Sequence, residues 1–367
     1  MNVVSDERTR PRISAVIPTH NRPDSLIRLL QSLEHQTIVP DEVIIVDSSD
    51  DPLRWDVVRN AVPRLTIRGF RESIPSVCAQ RNRGVREATG DYIFLCDDDM
   101  EAGPDYAANL SEFLHHNDNT VIVSGMIFEP GISESEAHPM PPLSFRGLLW
   151  KTLFLQSVWA DLERISVSLR LRWAKDLLMR YYRQRKNTFT AAGWPLVTNL
   201  ATPSFETAVY GLGASMMSRK FILAHPFSTA LQAHGIGDHY GLAVRLLALG
   251  KGIVVLRNTT IRHNKSPIDR IPAAEAYYWR VMALDFFLDE LPGWHIRRRV
   301  LLLWSLLGNF ISFAAGGEFQ ALQFSWRAFV KIFCRRNPYR RASRMQEKPD
   351  LSEGGLNLES NKAEIRS

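Results

Sequence analysis

The sequence predicts an α/β fold: a mostly parallel sheet flanked by helices, with a helical insertion and a helical C-terminal extension. Three observations predict it. Short apolar runs alternate with segments of helical period up to about residue 130, the pattern of successive βαβ units. Each run ends in a polar loop rather than in another apolar stretch. After about residue 265 the pattern changes to long aromatic and apolar helical periods.

The elements follow in order. Residues 13–18 are a short apolar strand, and 19–24 a turn. Leu26, Leu29, Leu30 and Leu33 then recur at helical spacing, with Pro23 and Asp24 as start signals. Residues 41–47 form a second strand ending in Asp47, 64–68 a third, and 76–89 a helix. Gly90 bounds the run 92–96, which ends in Asp97, Asp98 and Asp99. In a parallel α/β sheet ligands sit at the carboxyl ends of the strands, so Pro18, Thr19, Asp47 and the acidic triplet share one edge. A lone acidic triplet is an ordinary solvated turn. Beside two other polar strand ends it reads as a site, because adjacent carboxylates repel unless a cation or donors hold them. Hard oxygen ligands of this kind suit Mg²⁺ or Mn²⁺ on a substrate phosphate.

Residues 120–128 are another strand. An excursion over 131–205 opens with Pro139, Pro141 and Pro142. It continues as one amphipathic helical stripe of Leu155, Val158, Leu162, Ile165, Leu169, Trp173 and Leu177, interleaved with Arg164, Arg170, Arg172, Lys175, Arg180 and Arg183. That composition fits an interfacial membrane helix as well as a surface helix with a solvated basic face. Small residues open the strand-like run 210–219. Asp238 and His239 start a helix stopped by Gly250. Residues 252–257 are a strand, and His263 follows a further short one. Residues 274–291 are helical. Arg297–Arg299 precede the apolar run 300–315, about sixteen residues and short of the roughly 20 that cross a bilayer. Ser305, Asn309 and Ser312 make it a packed or in-plane helix. The tail from 337 reads as disordered, as do residues 1–11.

Composition bounds the rest. The 367 residues carry a net charge of +6, with Arg and Lys crowded into 164–186, 297–299 and 331–344. Basic clusters beside apolar residues point to a membrane surface or anionic ligand, and away from nucleic acid. The three cysteines, Cys78, Cys96 and Cys334, have no metal or disulfide spacing, as expected in a reducing compartment. The polar first residues show no secretory signal.

The ordered motifs resemble family 2 glycosyltransferases, which have the Rossmann-like GT-A fold. The matching pieces are 16–22 at the first strand end, 43–50, Arg81 to Gly84 with Gly90 and Asp91, the triplet, 211–219, Asp238 through Arg245 to Gly250, and His263. They span about 12–265, the expected GT-A domain, with 131–205 as an insertion, 266–336 as a membrane-associated helical extension and 337–367 as a tail.

The resemblance implies an inverting transfer of a sugar from a nucleotide-diphosphate donor to a hydroxyl of a glycan or lipid-linked acceptor in cell-envelope polysaccharide synthesis. The enzyme would be peripheral at the cytoplasmic face of the membrane, where an anionic surface is an expected partner. Uridine donors are the family's commonest, and thymidine and guanosine donors also occur. Pro18, Thr19, Asn21 and Asp47 would line the nucleotide pocket, with Arg81 near the base or phosphates and Asp98 by the ribose. Asp97 and Asp99 match the outer acids of the DXD motif that holds Mn²⁺ or Mg²⁺, and His263 matches a late histidine that completes the metal site. The family's acidic pair falls on Asp238 and His239; Asp238 is the expected general base, with His239 as the alternative, and burial would raise the carboxylate's pKa toward neutrality. Two other classes compete. A sugar nucleotidyltransferase would carry a Gly-rich loop after its first strand, and residues 19–23 contain no glycine. A non-catalytic GT-A scaffold in a membrane assembly is favoured only by the histidine in the acidic pair.

Overall fold

The computed structural model describes residues 10–128, 143–231, 234–266, 268, 270–290 and 295–346. The first turn of the chain alternates as its periodicity predicts. Strand β1 (Ile13–Thr19) leads into helix α1 (Pro23–Glu34), β2 (Glu42–Asp47), α2 (Trp55–Ala61), β3 (Ile67–Arg71), α3 (Val77–Glu87) and β4 (Tyr92–Cys96). Next come β5 (Met100–Ala102), α4 (Tyr106–His116) and β6 (Ile122–Phe128). Beyond 143 lie α5 (Phe145–Leu153), β7 (Val158–Trp159), α6 (Arg172–Arg185), β8 (Thr188–Phe189), β9 (Pro195–Val197) and β10 (Ser204–Thr207). The sheet is completed by β11 (Ala214–Ser218), α7 (Arg219–Ala224), α8 (Asp238–Ala248) and β12 (Ile253–His263). Four helices close the chain: α9 (Ala273–Phe287), α10 (His295–Gly316), α11 (Phe319–Phe333) and α12 (Pro338–Gln346).

Nine strands form one sheet in the order β10-β12-β6-β11-β4-β1-β2-β3, with β5 added beside β12. Strands β4, β1, β2 and β3 run parallel, as does β12 with β6; β11 is antiparallel between β4 and β6. Side chains alternate between two cores. Val16, Ile44, Val46, Ile93 and Leu95 enter one, and Ile13, Ala15, Ile17, Val43, Ile45 and Phe94 the other. Both faces are thus covered, which is why these strands read as continuous apolar runs.

Four sequence expectations are corrected. The excursion is not one helical stripe. The chain leaves α5 at Leu155, whose φ is +51°, and Val158 pairs with Leu196 in a small sheet of β7, β9 and β8. Leu162 and Ile165 are buried in a separate small core, and only 172–185 forms the basic helix. The β-branched and aromatic pair at 158–159 prefers a strand once the helix has ended. The Pro-rich residues 139, 141 and 142 lie outside the described residues. Second, the apolar run at 300–315 belongs to a 22-residue helix, and Ile296–Gly316 is long and apolar enough by length and composition to cross a membrane. Third, the tail does not lose structure at 337. Asn337 and Tyr339 are buried, Asn337 donates to Asp285, and α12 follows from Pro338. Residues 347–367 and 1–9 lie outside the described residues. The strands expected at 252–257 and near 261 are a single strand, β12, with a register shift between Leu256 and Thr260.

Candidate active site

The parallel register brings the polar strand ends together: Thr19 on β1 faces Asp47 on β2. Helix α3 packs across these strands so closely that a Cβ on Gly84 would overlap Val16. This close approach drops Gln80 onto the sheet edge, where its side-chain amide donates to the carbonyls of Thr19 (2.8 Å) and Val46 (2.7 Å). Two strand ends that diverge into loops are thereby tied by one buried side chain.

The nucleotide-pocket residues have well-defined partners. Asp47 is fully buried and accepts from the Ser49 and Leu53 backbone amides and from Arg71. Burial opposes its ionisation, but these donors outweigh it and hold the carboxyl below the usual value. Its acceptor capacity serves the β2–α2 loop, whereas the resemblance placed it in the nucleotide pocket. Asn21 stands at φ +55° and exchanges hydrogen bonds with Asp50, locking the first loop to the second. Pro18 is buried in β1 against Val46.

The acidic triplet divides in two. Residues 98–99 form a turn, and Met100 N–H returns to the Asp97 carbonyl, so Asp97 and Asp99 point to different neighbours. Asp98 accepts from the Thr19 hydroxyl at 2.8 Å and lies 3.3 Å from Arg22. Its burial is strong enough to push its pKa up to about 6 despite both partners. Asp99 meets His263 Nε2 at 3.2 Å, Arg270 at 3.2 Å and the Ser266 amide, and its pKa is lowered, burial being outweighed by His263 and these donors. His263 reaches it because β12 ends beside β5, the strand that follows the triplet: His263 pairs with Met100.

Asp97 belongs to the other group. Antiparallel pairing of Ala214 with Cys96 sets Gly213 against it, and a Cβ there would overlap the Asp97 carboxylate. Its Oδ1 lies 2.5 Å from Arg81, and the same guanidinium bonds Asp238. Arg81 is buried, with Phe227 stacked 5.4 Å from its charge, so it bridges two acids and is not presented to a base or phosphate as the sequence reading had it. Gly237, at φ +94°, starts α8 and delivers Asp238 to Arg81. Burial opposes ionisation of Asp238, but Arg81 and His239 more than compensate, and its pKa falls. The sequence reading expected the opposite direction, because the partner cation lies far away in sequence. His239 Nδ1 lies 3.5 Å from Asp238, and this side chain is the more exposed of the two, 25% against 13%.

Asp99 Oδ1 and His263 Nε2 meet each other directly at 3.2 Å. Asp97, the third expected ligand, is held apart by Arg81. Among the described residues no three His, Cys, Asp or Glu side chains converge as a metal site. Sequence reasoning gave Arg22, Arg270 and Gln80 no role. Arg22 was quoted only as part of a motif, and neither Arg270 nor Gln80 stands out in any local pattern.

The nine-stranded α/β sheet, with acids, arginines and a histidine gathered at its carboxyl edge, has the GT-A fold. Residues 14–160 match the family model described as glycosyl transferase family 2. The chain is 43% identical over 89 residues to the uncharacterized glycosyltransferase YwdF of Bacillus subtilis (strain 168), covering 24% of this chain and 32% of that protein. It is 32% identical over 140 residues to the putative colanic acid biosynthesis glycosyl transferase WcaA of Escherichia coli (strain K12), covering 36% and 48%. These matches span less than half of each curated relative. Two solved structures share the fold. One is GalNAc-T7 with UDP, GalNAc and Mn²⁺ (TM-score 0.52, 14% identity, 82% of this chain and 56% of that one). The other is the mannosyltransferase PcManGT from Pyrobaculum calidifontis with GDP-Man and Mn²⁺ (TM-score 0.50, 15% identity, 92% and 85%).

Proposed function

We propose that this chain moves a sugar, with inversion, from a nucleotide-diphosphate donor to a hydroxyl of a glycan or lipid-linked acceptor during cell-envelope polysaccharide synthesis. The observation that carries this reading is the convergence of Asp98, Asp99, Arg22, Arg270 and His263 at the sheet edge. Two exposed-to-partly-buried guanidiniums beside paired acids suit a diphosphate held together with a cation. The name of the WcaA relative places that protein in colanic acid biosynthesis, and the two fold neighbours were solved with Mn²⁺ and a nucleotide or nucleotide-sugar.

Asp99 and His263 would hold Mn²⁺ or Mg²⁺, with Asp97 joining if it leaves Arg81. The metal, when bound, neutralises the charge that develops on the departing diphosphate. Arg22 and Arg270, already at the Asp98–Asp99 turn, orient the phosphates. Asp98, buried beside Thr19, is placed for a ribose hydroxyl.

The acceptor proton has two candidate receivers, and the geometry favours His239. Asp238 is tied to buried Arg81 and is a weakened base, while His239 is more open and has its Nδ1 side turned to the Asp238 carboxylate. Asp238 then orients the imidazole and stabilises it once protonated. On this reading His239→Ala loses about 10²-fold or more in turnover with little change in donor KM. Asp238→Asn keeps a residual rate whose pH profile is displaced. Should Asp238→Asn be silent to pH and His239→Ala nearly wild type, the assignment reverts to Asp238 or fails.

The function itself is tested by a panel of uridine, thymidine and guanosine diphosphate sugars with Mn²⁺ or Mg²⁺. Release of nucleoside diphosphate from one donor, together with a melting-point rise caused by that donor, is expected. Pyrophosphate release from a nucleoside triphosphate and sugar phosphate would overturn the transferase reading. Donor binding without turnover across acceptors would make the chain a scaffold.

A further inference from the structure

Helix α10 has two unlike faces. Leu302, Ser305 and Leu306 are buried against the domain, and Asn309 donates to the Tyr277 hydroxyl at 3.0 Å. On the opposite side Val300, Trp304, Leu307 and Ile311, spaced by four, three and four residues, are 60%, 40%, 42% and 40% exposed. Although the helix is long enough to span a bilayer, only 22% of its most apolar window is buried, and its inner face is bonded to the protein. A core helix of a soluble domain would be mostly buried.

The apolar surface does not stop at α10. Trp304 donates its indole N–H to the Leu153 carbonyl at 2.9 Å and stacks on Phe154, which joins the exposed end of α5 to the stripe. On the other flank Phe310 meets Trp326 of α11, with ring centroids 6.2 Å apart. Trp326 (57%), Val330 and Phe333 (70%) then continue the exposed row. Monomeric soluble proteins seldom show contiguous apolar surface of this extent unless something covers it.

Charge identifies the cover. Residues 295–346 contain ten Lys and Arg and one acid, Glu318, a net +9 in a chain whose total is +6; everything else is net −3. Arg299 and Arg340 are paired with Asp285 and Asp289, but the exposed remainder, Arg335 and Arg336 among it, is still cationic, so two copies of this face would oppose like charge, which disfavours self-association. Tryptophan, phenylalanine and arginine around an apolar stripe are what an anionic lipid interface accommodates. We propose that the α10–α11 face, with the end of α5, lies in the plane of an anionic bilayer. Its stripe enters the headgroup–acyl boundary, and Arg335, Arg336 and Lys331 reach the lipid charges without α10 crossing the membrane. The inference is independent of which sugar or acceptor the sheet edge serves.

The test is flotation of the full chain with phosphatidylcholine vesicles, with and without phosphatidylserine. Binding is expected only to the phosphatidylserine vesicles and should weaken as salt rises. The double variant Ile311→Glu/Trp326→Glu, and separately Arg335→Glu/Arg336→Glu, should each partition at least roughly tenfold less while melting as wild type does. Failure of the wild type to float overturns the proposal. So does flotation unchanged in both variants, or a concentration-dependent dimer that Ile311→Glu abolishes in the absence of lipid. Extraction by detergent alone, with resistance to high salt and to the charge reversal, would show insertion across the bilayer and overturn the in-plane placement.

Discussion

Every residue of β1 from Ile13 to Thr19 is buried, whereas on α10 the row Val300, Trp304, Leu307 and Ile311 stays 40–60% exposed. The sheet covers both of its faces and the helix covers one. The polar groups differ in the same sense. At the sheet edge Arg81, Asp98 and Asp99 are 4% exposed and bonded to each other's neighbours. Around α10 and α11 the cations Arg335 and Arg336 stand in solvent. Buried charge must be matched inside the molecule, and exposed charge beside apolar surface is available to something outside it. On the two proposals above, the difference separates a region that performs chemistry from one that meets a membrane surface.

The largest expected effect sharpens the chemical side. Asp99→Ala removes the carboxylate shared by His263, Arg270 and the Ser266 amide. Nucleoside diphosphate release should fall by roughly 10²-fold or more, since groups that neutralise developing charge in a closed site contribute at this scale. Arg22 and Arg270 are 20% and 40% exposed and can return to water, so the melting point should move little. An active Asp99→Ala enzyme would break the link between this cluster and transfer.

Arg81→Met should instead unfold. It strands Asp97 and Asp238 as unpaired acids and leaves a buried site without its cation, at a cost of about 3–5 kcal/mol, toward the lower end because Asp97 is 35% exposed. Urea denaturation measures it. A substitution within about 0.5 kcal/mol of wild type would mean the bridge is not what holds α3 to α8.

How much of this was legible in the sequence depends on distance along the chain. The strand ends 18–19, 47 and 97–99 announced themselves because each closes an apolar run, and a parallel sheet puts all such ends on one edge. The division of the triplet did not. It requires knowing that residues 98–99 turn, that β11 brings Gly213 against Asp97, and that Arg270 returns to Asp99. None of these contacts has a local pattern. The excursion misled for a different reason: apolar residues spaced by three and four also fit a chain broken into a helix, a strand and short turns. The end of the fold was misplaced because Asn337 and Tyr339 are single buried residues in a basic, polar stretch.

A smaller effect tests the sheet away from the site. Glu42 is 5% exposed and accepts from Ser14, Thr89 and Arg68. Burial opposes its ionisation, but those donors lower its pKa from 4.5 to about 2. Because the folded value lies below the unfolded one, the stabilisation is complete above about pH 4.5 and is lost as pH falls toward 2. Glu42→Gln should therefore cost about 2–3 kcal/mol at pH 7, and the gap to wild type should close progressively below pH 4.5. A gap that persists unchanged at pH 2.5 would assign the loss to packing instead of charge.

The smallest expected effect bears on the other region. Trp326 on α11 is 57% exposed and touches Phe310 and Phe329 only by ring contact. Had α11 been a core helix, Trp326→Glu would bury a charge and cost several kcal/mol. On an outward face the charge stays in water, and the change should lie within about 0.5 kcal/mol of wild type by urea denaturation. The inward neighbours supply the control: Ala328 and Ile332 are 0% and 1% exposed on the same helix, and Ile332→Glu should be severely destabilising. Two glutamates six residues apart would then differ by several kcal/mol in stability, and the harmless one would weaken vesicle binding without a change in fold. That pairing separates a face kept apolar for an outside partner from one kept apolar for the fold.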